Sequence, residues 1–132
     1  MRLLPALLFT VLLTGCAALP TRVQWSVVIK NGTTAPVGNA HVLFREFESV
    51  GGHIAQGGRK KDAIAPPPIP DKATVVWESE NGEKHRQEVE VLKKLKLKNE
   101  VEVVFTILPD NQVSVTEQPF FKLPANWKVV PR

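Results

Sequence analysis

The sequence is poor in the residues that usually carry chemistry. It holds one cysteine, Cys16, which excludes a disulfide within the chain and any cysteine-rich metal site. Its three histidines, His41, His53 and His85, stand in no metal-ligand spacing. A Gly-x-Ser-x-Gly elbow is missing, and so is a phosphate-cradling glycine loop ahead of a helix. Carboxylates are scattered over positions expected to face solvent, so the convergent titratable groups of an active site are not in view. These gaps argue against an enzyme and against a bound metal or cofactor. No apolar run reaches the ~20 residues of a transmembrane helix, and no window carries a convincing 3.6-residue apolar stripe.

What is present begins at the N-terminus. Met1-Arg2 gives a short positive start and residues 3–13 are almost unbroken apolar, the pattern of a secretory signal core. Leu13-Thr14-Gly15-Cys16 follows: a branched apolar residue, two small residues, then the cysteine. The tetrapeptide resembles the lipobox of bacterial lipoproteins, in which the cysteine is acylated through sulfur and becomes the new N-terminus. The resemblance implies a signal peptide over residues 1–15, lipidation at Cys16 and a tether over residues 16–22. The rival is an ordinary signal peptide cut near Ala18. Ala17, rather than an aspartate, follows the cysteine, which points to the periplasmic face of the outer membrane. With Cys16 lipidated, the exported chain has no thiol for a disulfide and must be held by packing alone.

The remainder, residues 23–132, reads as one all-β domain. Val23, Trp25, Val27 and Ile29 alternate with polar residues as in a half-buried strand that Asn31-Gly32 ends. A second strand is expected over residues 41–48. Val75 and Trp77 precede Asn81-Gly82, and His85, Gln87, Val89 and Val91 follow. A three-residue loop, Glu80-Asn81-Gly82, with Gly82 left-handed, pairs Trp77 with His85 and Val75 with Gln87. That register gathers Val75, Trp77, Val89 and Val91 on one face, with His85 at the core or its rim. Downstream, Val101, Val103, Phe105 and Ile107 share a face, and a Pro109-Asp110-Asn111 loop pairs Ile107 with Val113 and Phe105 with Val115. Residues 94–98 alternate as a strand would, although residues 92–97 also suit one helical turn. The aromatic segment 120–130 reads as an edge strand or a strap over the core. Six or seven short strands predict an immunoglobulin-like antiparallel sandwich, or alternatively a small barrel.

Residues 51–70 are the best candidate for function. The stretch reads as a long surface loop: paired glycines, the cations Arg59, Lys60 and Lys61, then a stiff proline-rich arm over residues 65–70. Long irregular loops in compact domains are functional or disordered. His53, Arg59, Lys60, Lys61, Ile64 and Ile69 are therefore the candidate partner-binding residues, with the two isoleucines as apolar studs. A second basic run includes Lys93, Lys94, Lys96 and Lys98. It suits anionic headgroups or an acidic partner surface, or else a solvated face balanced by Glu88, Glu90, Glu100 and Glu102. Despite the net charge of +4, export argues against nucleic acid as the ligand.

Gly51-Gly52-His53-Ile54, Gly57-Gly58-Arg59-Lys60, Pro66-Pro67-Pro68-Ile69-Pro70, Val75-Val76-Trp77 and Asn81-Gly82-Glu83-Lys84-His85 resemble small Gram-negative lipoproteins. These are encoded beside phospholipase effectors of type VI secretion systems. The resemblance spans residues 40–91 and implies a periplasmic immunity protein that occludes a lipase toxin. The alternative is a structural or assembly lipoprotein of the envelope or a secretion apparatus, binding its partner by strand addition at a sheet edge.

Overall fold

The structure, a computed structural model, describes residues 23–120. Cys16, the signal and tether segments and the aromatic segment beyond Phe120 lie outside the described residues. Eight strands occur among the described residues: β1 (Trp25–Asn31), β2 (Val37–Leu43), β3 (Glu48–Ile54), β4 (Arg59–Ala65), β5 (Lys72–Glu78), β6 (Lys84–Glu90), β7 (Val101–Ile107) and β8 (Val113–Pro119). They form two four-stranded sheets, ordered β4-β1-β7-β8 and β3-β2-β5-β6. The sheets pack face to face as an open β-sandwich and do not close into a barrel. All pairs are antiparallel except β1 with β7, which run parallel in continuous register from Trp25↔Val101 to Asn31↔Ile107.

The core lies between the sheets. Trp25, Val27 and Ile29 of β1 and Val101, Val103, Phe105 and Ile107 of β7 meet Val37, Ala40, Val42, Ala73, Val75 and Trp77 of the second sheet. Each large apolar side chain so buried contributes about 1.5–3 kcal/mol. Phe44 sits edge-on to Trp25 with ring centroids 5.5 Å apart and stacks on Phe47 at 4.5 Å. The Trp25 indole N–H is satisfied by the Pro66 carbonyl at 3.0 Å.

Both hairpins take the registers the sequence predicts. Trp77 pairs with His85 and Val75 with Gln87, and the Ser79 amide bonds the Glu83 carbonyl across an 80–82 loop. Gly82 has φ +86°, a conformation a Cβ would disfavour. His85 stacks on Trp77 at 5.2 Å and shares a 2.6 Å hydrogen bond with Ser79 Oγ, so it is a rim residue. Ile107 pairs with Val113 and Phe105 with Val115.

Three expectations are corrected. The second strand runs Val37–Leu43 rather than 41–48, because Phe44 to Phe47 form a tight turn closed by a 2.9 Å amide–carbonyl bond. Residues 51–70 are not one long loop: most of them belong to β3 and β4, joined by a turn in which Gly57 has φ +72°. Irregular chain is confined to residues 66–71, where prolines remove the amides a strand needs. Residues 94–98 form no strand. A single 3₁₀ turn, Leu92–Lys94, leads to a loop whose Lys96 and Leu97 amides donate to the Glu117 carboxylate at 2.8 and 2.9 Å.

One end of the sandwich carries the start of β1, the proline segment and residues 91–100. The other carries the turns at 32–36, 55–58, 79–83 and 108–112. The second end is tied together by Asn31, wholly buried, whose Nδ2 donates to the Ala35 and Ile54 carbonyls at 2.8 and 3.0 Å. Its Oδ1 accepts from the Thr33 amide and hydroxyl at 2.9 and 2.6 Å.

Candidate functional site

The candidate cations stand on an edge strand. Among the described residues β4 pairs with β1 alone, matching Arg59 with Lys30, Lys61 with Val28 and Ile64 with Ser26. Cross-strand partners point to the same side of a sheet. Arg59, Lys61 and Ile64 therefore share the outward face, away from the core, with Ser26, Val28 and Lys30. The spacing from Lys61 to Ile64 is odd because the register shifts between Ser26 and Val28. Such a bulge inserts one residue and re-aims those beyond it. Lys60, opposite Ile29, points the other way and is exposed at the edge. Neither Arg59 nor Lys60 makes an ion pair among the described residues.

Beside β1 on the same outward face stands Glu102 of β7, only 5% exposed. Lys61 Nζ forms an ion pair with Glu102, and Gln118 Nε2 donates to its other oxygen at 2.6 Å. Burial by itself would raise the Glu102 carboxyl. The hydrogen bonds from Lys61 and Gln118 and the charges of Lys61 and Arg59 outweigh that and hold it below the usual glutamate value. Arg59, Lys61, Glu102, Gln118, Pro119 and Phe120 line a groove of about 640 Å³ floored by Val28. The Lys61 ammonium lies 6.0 Å from the Phe120 ring centroid.

A depressed folded pKa means that the ionised carboxylate stabilises the fold. That contribution is complete above the ordinary value of 4.5 and is lost as pH falls through the lower, folded value. Glu102→Gln should therefore flatten the acid limb of a stability–pH curve below pH 4.5, with a lower plateau at pH 7 because Lys61 loses its partner. Urea unfolding from pH 7 to pH 3 checks this; an acid limb unchanged from wild type would assign the acid sensitivity to other groups.

The structure separates the remaining candidates. His53 is exposed on β3, an edge strand of the other sheet. Ile64 is 65% exposed and suits a contact stud. Ile69 does not: it is 7% exposed and belongs to the core, while Pro66, Pro67 and Pro68 before it stay exposed. Those prolines line a separate cleft of about 450 Å³ with Arg45, Phe47 and Lys72. Sequence reasoning missed Lys30, Glu102, Gln118 and Phe120 as neighbours of the cations. One signal was available. Val103-Val104-Phe105 is an apolar run rather than an alternation, as expected of a strand buried on both faces.

The arrangement defines a β-sandwich with a cationic edge strand and a groove built around one buried, neutralised carboxylate. Among the described residues no group of three or more acidic, histidine or cysteine side chains could hold a metal ion. No protein-family model matches the chain, and no curated protein matches it. Among solved structures it is similar to the NMR structure of a protein from Eubacterium rectale, with a TM-score of 0.52 and 16% sequence identity. The alignment covers 78% of this chain and 96% of that one. At this identity the likeness shows a shared fold.

Proposed function

We propose that this protein is a lipid-anchored lipoprotein facing the periplasm that binds and neutralises a secreted toxin, a phospholipase effector of a type VI secretion system. The observation that carries the binding reading is Arg59 and Lys60 on the edge strand β4, without an ion pair among the described residues, with Ile64 exposed farther along the same strand. Cations on a rigid scaffold steer an acidic partner and fix its register. An exposed apolar residue on the same strand supplies the desolvated anchor that tight interfaces need. The lipobox supports placement where a periplasmic lipase acts, and an occluding inhibitor requires no catalytic groups of its own.

The test is capture with the full chain, C-terminally tagged, exported and extracted from membranes in the source organism. A lipase should co-elute and lose its phospholipid hydrolysis in the complex. Lys60→Glu should slow association severalfold and leave the urea midpoint unchanged, since Lys60 points away from the face that holds Glu102. Lys61 is left intact in that variant because its removal would strand Glu102. Co-elution of envelope or secretion-apparatus proteins alone would overturn the immunity reading. It would favour instead an assembly lipoprotein, for which β4, an edge strand among the described residues, offers strand addition.

A further inference from the structure

We propose that the loop carrying Lys93, Lys94 and Lys96 docks on a bilayer surface bearing anionic phospholipids. This rests on lipid anchoring at Cys16 and adds to it the face of the sandwich that meets the membrane.

Two hydrogen bonds fix where the chain enters the fold. The Gln24 amide donates to Asn99 Oδ1 at 2.7 Å, and the Gln24 carbonyl accepts from the Val101 amide at 3.3 Å. The approach to β1 is thereby clamped to the loop that follows the 3₁₀ turn. Only residues 17–23 separate Cys16 from Gln24. Fully extended, the eight steps from Cys16 to Gln24 span at most about 29 Å. An anchor at Cys16 holds this end of the sandwich within that distance of the bilayer.

The loop is built to present charge. Leu95 is buried and roots it in the core. Glu117 accepts its two amides, and Lys98 turns back so that Nζ donates to the Leu92 and Leu95 carbonyls at 3.1 and 2.9 Å. Lys93, Lys94 and Lys96 are left exposed, and their ammonium groups make no ion pair among the described residues. Leu97, 40% exposed, stands beside Lys96. Three of the acids nearby in sequence are engaged elsewhere: Glu88 and Glu90 lie 3.7 and 3.8 Å from Lys72, and Glu102 is held by Lys61. The Glu117 carboxylate accepts from the Lys96 and Leu97 backbone amides.

Lysines this close to an anchor meet the headgroup layer without paying for a separate encounter. Each one near an anionic surface favours the bound orientation by about fivefold, an effect that salt screens. An acidic protein would need to insert between the sandwich and the bilayer to reach the same loop, which the short tether disfavours.

The experiment uses the exported, processed protein reconstituted into phosphatidylcholine vesicles and into vesicles with about one-third phosphatidylglycerol. Amide hydrogen exchange over residues 92–98 is the readout. It should be at least severalfold slower on the anionic vesicles, revert in high salt, and become equal on both in a Lys93→Gln, Lys94→Gln, Lys96→Gln variant. Equal exchange for the acylated wild type on the two vesicles overturns the proposal and leaves anchoring intact. Protection on neutral vesicles that appears only when a captured protein is added assigns the loop to that protein instead. An intact mass without acyl groups overturns the anchoring reading, and this proposal with it.

Discussion

Replacing Asn31 with alanine is expected to destabilise the protein by about 3 kcal/mol, a large share of the roughly 5–15 kcal/mol that holds a domain of this size. The side chain is wholly buried and bridges three segments: the end of β1, the 32–36 loop and the end of β3. Alanine removes both donors and the acceptor. The Ile54 and Ala35 carbonyls lose their Nδ2 donor, and a buried polar group left without a partner costs about 1–3 kcal/mol. Thr33 Oγ still donates to the Ala35 carbonyl at 2.8 Å, so the loss falls short of the sum. Asn31→Asp should be worse than alanine, because a carboxylate cannot donate and would face those carbonyl dipoles with a buried charge. Urea unfolding followed by tryptophan fluorescence measures both variants. An alanine loss below about 1 kcal/mol would mean that the turns at this end hold without the bridge.

The second large effect concerns the proposed anchor. Cys16→Ser is expected to abolish acylation completely, since Cys16 is the only cysteine in the chain and a serine oxygen does not take the thioether-linked lipid. Cells fed labelled palmitate should yield a labelled wild-type protein and an unlabelled variant. A wild type that takes up no label would remove the lipoprotein reading, and a variant that keeps it would place the lipid elsewhere.

How far the fold was legible depended on whether a pairing was local. The β5–β6 and β7–β8 registers followed from alternation on both sides of an Asn-Gly and a Pro-Asp-Asn turn, so no partners lie more than eighteen positions apart. The β1–β7 pairing joins residues more than seventy positions apart, and no short-range signal announces it. β3 and β4 were read as a loop because Gly51, Gly52, Gly57 and Gly58 suggest turns and because Arg59-Lys60-Lys61-Asp62 has no apolar alternation. An edge strand needs none, and cations there are a common guard against unwanted pairing. The first residues of β2 were missed for a related reason: Gly38 and Asn39, the latter at φ +46°, sit where its register with both neighbours shifts. For the site, the sequence picked out Arg59, Lys61 and Ile64 but not their shared face, which depends on the β4 bulge. Ile69 was misplaced because a proline-rich arm was expected to hold its apolar residues outward.

The parallel seam between β1 and β7 also sets a timetable. β1 is an inner strand of its sheet, yet one of its two neighbours is the seventh strand made. At roughly 5–20 residues per second, synthesis takes about 4–16 s to pass from Trp25 to Ile107, and until then the first sheet lacks its middle. Such non-local closure makes folding slow. A chain that cannot complete its first sheet until β7 has been made stays unfolded for longer, and an unfolded chain is the form that the export proposed above would need.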